Sequence, residues 1–135
     1  MKLPQVTSEP LDRAAQFARL GGARQWFLET LIGEAPIFHL QKTNTRIDVG
    51  SWFRKPQIWA CVTDQKLVLF AAGDRPYAEQ IPLDELQQSE YNHVTGEIVL
   101  APVESLQVNR LKLPPILGLQ VLSHICRGDE ENESA

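Results

Sequence analysis

The chain has 135 residues, enough for one domain whose core needs no metal or disulfide staple. Apolar residues make up 43% and charged residues 22%, the balance of a globular protein rather than a disordered or fibrous one. The formal charge of −4 argues against generic affinity for nucleic acid or anionic lipid, because both need a positive face to displace counterions.

Residues 1 to 8 read as a loose lead. Ser8 can cap a helix, with Glu9 and Pro10 in the first turn, where a carboxylate meets the positive helix end and proline loses no hydrogen bond. Leu11, Ala14, Ala15, Phe17 and Ala18 give an apolar stripe at helical spacing, and Gly21-Gly22 interrupts it. Helical spacing resumes from Ala23 to Ile32, with Trp26, Phe27, Leu31 and Ile32, and Gly33 is the C-terminal stop. The segment is therefore either two short helices or one kinked helix.

Strands follow. Pro36 to Lys42 is the first, rich in β-formers. Thr43 to Gln57 is either a short edge strand or a long loop, since Arg46 to Gly50 alternates while Gly50-Ser51 and Lys55-Pro56 punctuate. Ile58 to Thr63 and Lys66 to Ala71 form a hairpin about Asp64-Gln65, and a second turn at Gly73 to Pro76 leads into Tyr77 to Pro82. Glu90 to Val94 and Glu97 to Ala101 form another hairpin about Thr95-Gly96, and Ser105 to Leu111 alternates as a last strand. Pro114-Pro115 then opens a helix carrying Ile116, Leu117, Leu119, Val121, Leu122, Ile125 and Cys126, with Arg127 and Gly128 as its end. A helix that apolar after a curled sheet is expected to plug its open end. Charge is uneven along the chain: five of the seventeen acids fall before Cys61, and four lie in residues 128 to 135, which read as a solvated, disordered tail.

About seven antiparallel strands followed by one apolar helix resemble the pleckstrin-homology-like barrel, in particular its bacterial PH and GRAM-like branches. The residues carrying the resemblance are Gly33-Glu34 before the first strand, the hairpin Val62-Thr-Asp-Gln-Lys-Leu67, and Ile81-Pro-Leu-Asp-Glu-Leu86. The resemblance implies an α+β fold: a PH-like antiparallel barrel over residues 34–127, capped by the C-terminal helix, with an N-terminal helical extension over 1–33 and the acidic tail over 128–135. Its motifs are structural, specific for a fold and nearly silent on function.

Phosphate-binding members of that superfold place converging cations around the loop joining the first two strands, and the matching residues here are Lys42, Arg46, Arg54 and Lys55. They form a candidate loop for an anionic headgroup or small ligand. The tight Lys/Arg pair that the superfold carries at the start of its second strand is displaced here by Pro56, and a solvated loop with a few ion pairs accounts for the same charges. Trp26, Phe27, Trp52 and Phe53 are large aromatics placed as core lids or as anchors for a protein partner or a second copy of the chain. Trp59 alternates with Ile58 and Ala60, so one side of that strand faces outward or meets another element.

No sequence pattern points to catalysis. His39, His93 and His124 show neither HxH nor HExxH spacing, so a metal would require them to converge by folding; the reading is structural or surface histidines, no metal and no cofactor. Asp84, Glu85 and Glu90 are read as solvated acids rather than an acid/base pair, and Cys61 and Cys126 as buried reduced thiols. Met1 to Thr7 lacks the apolar stretch of an export signal, which places the expected chain in the cytoplasm. The expectation is a non-enzymatic interaction or assembly module, with membrane or lipid contact through the basic loop as the weaker alternative.

Overall fold

The structure, a computed structural model, describes residues 9–50, 55–101 and 106–126. It is a mixed α+β arrangement of two antiparallel sheets and three helices. In chain order these are α1 (Arg13–Leu20), α2 (Gly22–Ile32), β1 (Ile37–Arg46), β2 (Gln57–Thr63), β3 (Lys66–Ala71), β4 (Tyr77–Pro82), a 3₁₀ turn (Leu83–Glu85), β5 (Glu90–Asn92), β6 (Glu97–Val99), β7 (Arg110–Lys112) and α3 (Pro115–Ile125). One sheet runs β1-β2-β3-β4 and the other β5-β6-β7.

The first helix begins later than its sequence implies. Ser8 lies outside the described residues, and Glu9 and Pro10 are not helical; Asp12 is the cap, accepting from the Ala14 amide at 3.2 Å. The Leu11 amide donates to the Ile37 carbonyl at 2.7 Å, so a contact with the sheet overrides the helix-starting preference of Pro10. The buried stripe also differs from the expected one. Phe17 and Leu20 face the sheet, while Ala14, Ala15 and Ala18 are exposed, because large side chains gain more from reaching the sheet than alanines do; Leu11, which precedes the helix, is exposed as well. Gly21, at φ +79°, then turns the chain in a conformation other residues resist, which makes two helices rather than one kinked helix. Leu28 and Ile32, one helical turn apart, are the buried pair of α2.

The two central strands of the four-stranded sheet are covered on both faces, which explains why β2 and β3 read as almost unbroken apolar runs. Ile37, Leu40, Trp59, Cys61, Val68 and Phe70 face α1 and α2. Ile58, Ala60, Val62, Leu67, Leu69 and Ala71 face the second sheet and α3. Trp59 thus meets the helical layer and is only 6% exposed. The β2–β3 turn is held by Thr63: its hydroxyl accepts from the Gln65 and Lys66 amides at 3.3 and 3.1 Å.

Of the stretch left open between strand and loop, Thr43 to Arg46 extends β1 and Gln57 opens β2, while residues 51–54 lie outside the described residues. β1 runs to Arg46 with irregular register on either side of its middle, after which the Ile47 amide donates to the Pro56 carbonyl at 3.0 Å. Arg75, in the β3–β4 connection, reaches across to the carbonyl of Gly50 at 3.2 Å.

The last strand is shorter than its alternation implies. Only Arg110–Lys112 joins the ladder, because the amides of Gln107 and Val108 are taken by the Glu79 carboxylate at 3.1 and 3.3 Å. Leu106 and Val108 still pack on the inner core, so the apolar alternation is satisfied without strand pairing. β5 and β6 end at Asn92 and Val99, two residues short of the expected limits.

α3 seats Val121, Leu122 and Ile125 in the inner core, with Cys126 beside them, whereas Ile116 is 74% exposed. Gly118 faces the Tyr91 ring so closely that a Cβ there would lie 2.5 Å from Tyr91 Cε2. The Tyr91 hydroxyl donates to the Leu113 carbonyl at 2.6 Å, and the Gln87 side-chain amide donates to the Ile125 carbonyl at 2.9 Å, closing both ends of the helix against the second sheet and its lead-in. β1 lies against β7, where the Lys112 amide donates to Thr45 Oγ1 at 2.7 Å. This is a side-chain bridge, and the described residues form two sheets rather than a closed barrel.

Candidate functional site

Of the basic loop residues, Lys42, Arg46 and Lys55 are described and exposed; Arg54, like the aromatics Trp52 and Phe53, lies outside the described residues. Lys42 pairs across the ladder with Trp59 and Arg46 with Gln57. The Arg46 guanidinium donates to the Lys55 backbone carbonyl at 2.9 Å, which fixes the Arg46 cation against the backbone of the residue that carries the other charge. This contact occupies only part of the guanidinium, whose five N–H donors leave others for an anion.

The aromatic pair Trp26 and Phe27 divides in two. Trp26 is 67% exposed on the outer side of α2, whereas Phe27 is half-buried and meets Phe70 edge-on, with ring centroids 6.4 Å apart. Phe27 therefore works as a lid on the core, and Trp26 is the residue presented outward. Beneath this layer, the guanidinium carbons of Arg19 and Arg24 each lie 5.9 Å from the Trp59 ring centroid. Such contacts contribute about 0.5–1 kcal/mol each at exposed sites. Arg13 binds the carbonyls of Gly33 and Ala35, the former at 2.7 Å, and so fixes the end of α2 against the start of β1. A cleft of about 290 Å³ opens at the start of α2, lined by Leu20, Gly21, Arg24, Ala72 and Gly73 among others.

One constellation was not legible in the sequence. His39, on the inner face of β1, stacks on His124 of α3 with ring centroids 4.7 Å apart and planes inclined by 20°. The two residues are 85 positions apart in the chain, and only folding joins them. Burial, with a smaller contribution from the Arg19 charge, pushes the His39 imidazole down to about 4; a contact with the Gln41 side chain pulls weakly the other way. His39 Nε2 is buried with no hydrogen-bond partner among the described residues. The third histidine, His93, is exposed and meets the Tyr91 ring edge-on.

Asp84, Glu85 and Glu90 are all exposed. Burial pushes the Cys61 thiol up to about 12, the charges of Arg13 and Lys66 opposing, so at neutral pH it is a protonated core side chain rather than a nucleophile. Neither Cys61 nor Cys126 is in a disulfide, and both are buried. Burial and the neighbouring Glu79 carboxylate push the Tyr77 phenol upward; its hydroxyl donates to that carboxylate. Among the described residues no three His, Cys, Asp or Glu side chains are grouped to hold a metal ion, and no helix is long and apolar enough to cross a membrane. No protein-family model, curated protein or solved structure matches the chain.

Proposed function

We propose that this chain is a non-enzymatic protein-interaction or assembly module of PH-like architecture, acting in the bacterial cytoplasm through protein contacts or through contact with a second copy of itself. The architectural part rests on the order of elements: four antiparallel strands, three more, then one apolar helix, with β1 lying against β7. The functional part rests on Trp26. A tryptophan 67% exposed on a helix whose other large side chains, Phe27, Leu28, Leu31 and Ile32, pack toward the sheet is an unused apolar anchor. Burial of such a ring on association supplies the kind of contact that dominates interfaces. Light-scattering mass measured at low and high protein concentration tests the assembly form. The expected result is a mass that rises with concentration and a rise that Trp26→Ser removes; a strictly monomeric particle throughout overturns it.

A second reading is favoured by a separate observation, the fixing of the Arg46 guanidinium on the Lys55 backbone carbonyl. Two cations at the mouth of the β1–β2 loop match an anionic headgroup or a small phosphorylated ligand. A ligand that binds the native state raises its melting temperature. Thermal-shift screening against phosphorylated and lipid-like compounds is therefore expected to give a rise that replacement of Arg46, Arg54 and Lys55 by Ser abolishes. A rise that survives those substitutions places the ligand elsewhere.

A further inference from the structure

We infer that the stacked His39–His124 pair is a proton-sensitive latch: with the His39 ring neutral it holds α3 on the sheet, and a proton taken up at His39 releases the helix. The stack ties α3 to β1 from within the buried stretch of the helix, Val121 to Cys126. A neutral imidazole can lie face to face with another at 4.7 Å. A charged one at His39 would be a buried cation whose Nε2–H has no acceptor among the described residues.

Among the groups acting on His39 from the described elements around it, the Gln41 side chain favours that cation, and burial outweighs it. α1 contributes Arg19, a like charge whose guanidinium donates to the adjacent Leu40 carbonyl at 3.0 Å. α3 contributes the His124 ring, β2 contributes the apolar Val62 opposite in the ladder, and β1 itself contributes Gln41, whose contact offsets only part of the burial. In the docked state the imidazole takes its proton near pH 4, against an ordinary value of 6.5 once the helix has left. The lowered group stabilises docking fully above about pH 6.5 and loses that contribution as pH falls toward about 4. At about pH 4.5 the undocked fraction rises on the order of tenfold to a hundredfold over its neutral value. The sheet core offers no equivalent: β2 and β3 bury Cys61, neutral throughout this range, and otherwise apolar side chains and Thr63. Release is accordingly local, of the kind that exposes one element while the rest stays folded.

Hydrogen exchange on the full chain, corrected for the intrinsic pH dependence of amide exchange, tests the latch. Between pH 7 and about pH 4.5 the amides of 118–125 are expected to lose protection by at least tenfold while those of 58–62 and 67–70 keep theirs, and His39→Phe, which retains a ring but no proton site, is expected to flatten the response. Loss of protection in α3 and in β2–β3 together is ordinary acid unfolding and overturns the proposal, as does an unchanged acid response in His39→Phe. Should that variant fail to fold, Arg19→Gln decides. Removing the like charge is expected to raise the His39 proton resonance midpoint toward its ordinary value and, by narrowing the gap between docked and undocked states, to weaken the acid release of α3; a midpoint that rises while the release stays as large as in the unaltered chain overturns the latch.

Discussion

Gly118 and Tyr91 fit together as ring against bare backbone. The close approach of α3 to β5 depends on the absence of a Cβ, since one placed there would meet the Tyr91 ring at 2.5 and 2.8 Å. The ring cannot easily swing aside, because its hydroxyl is held by the Leu113 carbonyl at 2.6 Å. Gly118→Ala therefore forces either α3 or Tyr91 to shift. Overpacking of this kind costs about 1–3 kcal/mol, more than the roughly 1 kcal/mol that alanine gains over glycine in a helix interior. The expected outcome is a lower urea midpoint with an unchanged slope. A midpoint raised by the substitution would mean that the helix sits farther from the ring than described. The sequence shows a glycine in the middle of an apolar helix, which by propensity alone is only a weakness; its purpose appears once Tyr91, 27 positions earlier, is placed opposite.

At the scale of the element, α2 separates a structural face from a presented one. Leu28 is fully buried and Ile32 nearly so, in the layer that covers Trp59, Val68 and Phe70, while Trp26 stands outside it. Leu28→Ala is expected to cost about 2–5 kcal/mol in equilibrium unfolding, whereas Trp26→Ser is expected to stay within about 0.5 kcal/mol. A Trp26→Ser penalty as large as that of Leu28→Ala would show the indole to be part of the core and would remove it as an anchor. The strands carry a related lesson. β3 and β4 match their sequence limits because Asp64-Gln65 and Gly73 to Pro76 supply turn chemistry that fixes register locally. β7 does not, because Glu79, far away in the chain, captures the amides that would have extended it.

At the scale of the whole molecule, the central strands β2 and β3 are shared between two apolar layers and are buried on both faces, while the edge strands β1 and β4 also carry exposed residues. The N-terminal helices are therefore as much a part of the core as α3. Shortening the chain to residues 34–127 uncovers Leu40, Trp59, Val68 and Phe70 on one face. An exposed apolar surface of that size promotes association and weakens the fold. The shortened chain is expected to bind a hydrophobic dye and to aggregate on warming, while the full chain does neither at the same temperature; a shortened chain as soluble and as stable as the full one would show the helices to be an appendage.

The sequence by itself determined the kind of each element and its local order, since turn residues, helix stops and apolar spacing act over a few positions. Residue pattern alone was enough to read Gly21-Gly22 as a break, Asp64-Gln65 as a tight turn, and an apolar helix opened by Pro114-Pro115, which the structure gives as Pro115–Ile125; Arg127 and Gly128, read as its end, lie outside the described residues. Only the tertiary structure decided which residues work as pairs. His39 with His124, Gly118 with Tyr91, Glu79 with the Gln107 and Val108 amides, and Gln87 with the end of α3 join positions that nothing in the local pattern connects. The physical reason is that a side chain's burial, and with it its protonation and its partners, is set by what folds over it, and that surface is supplied by distant parts of the chain.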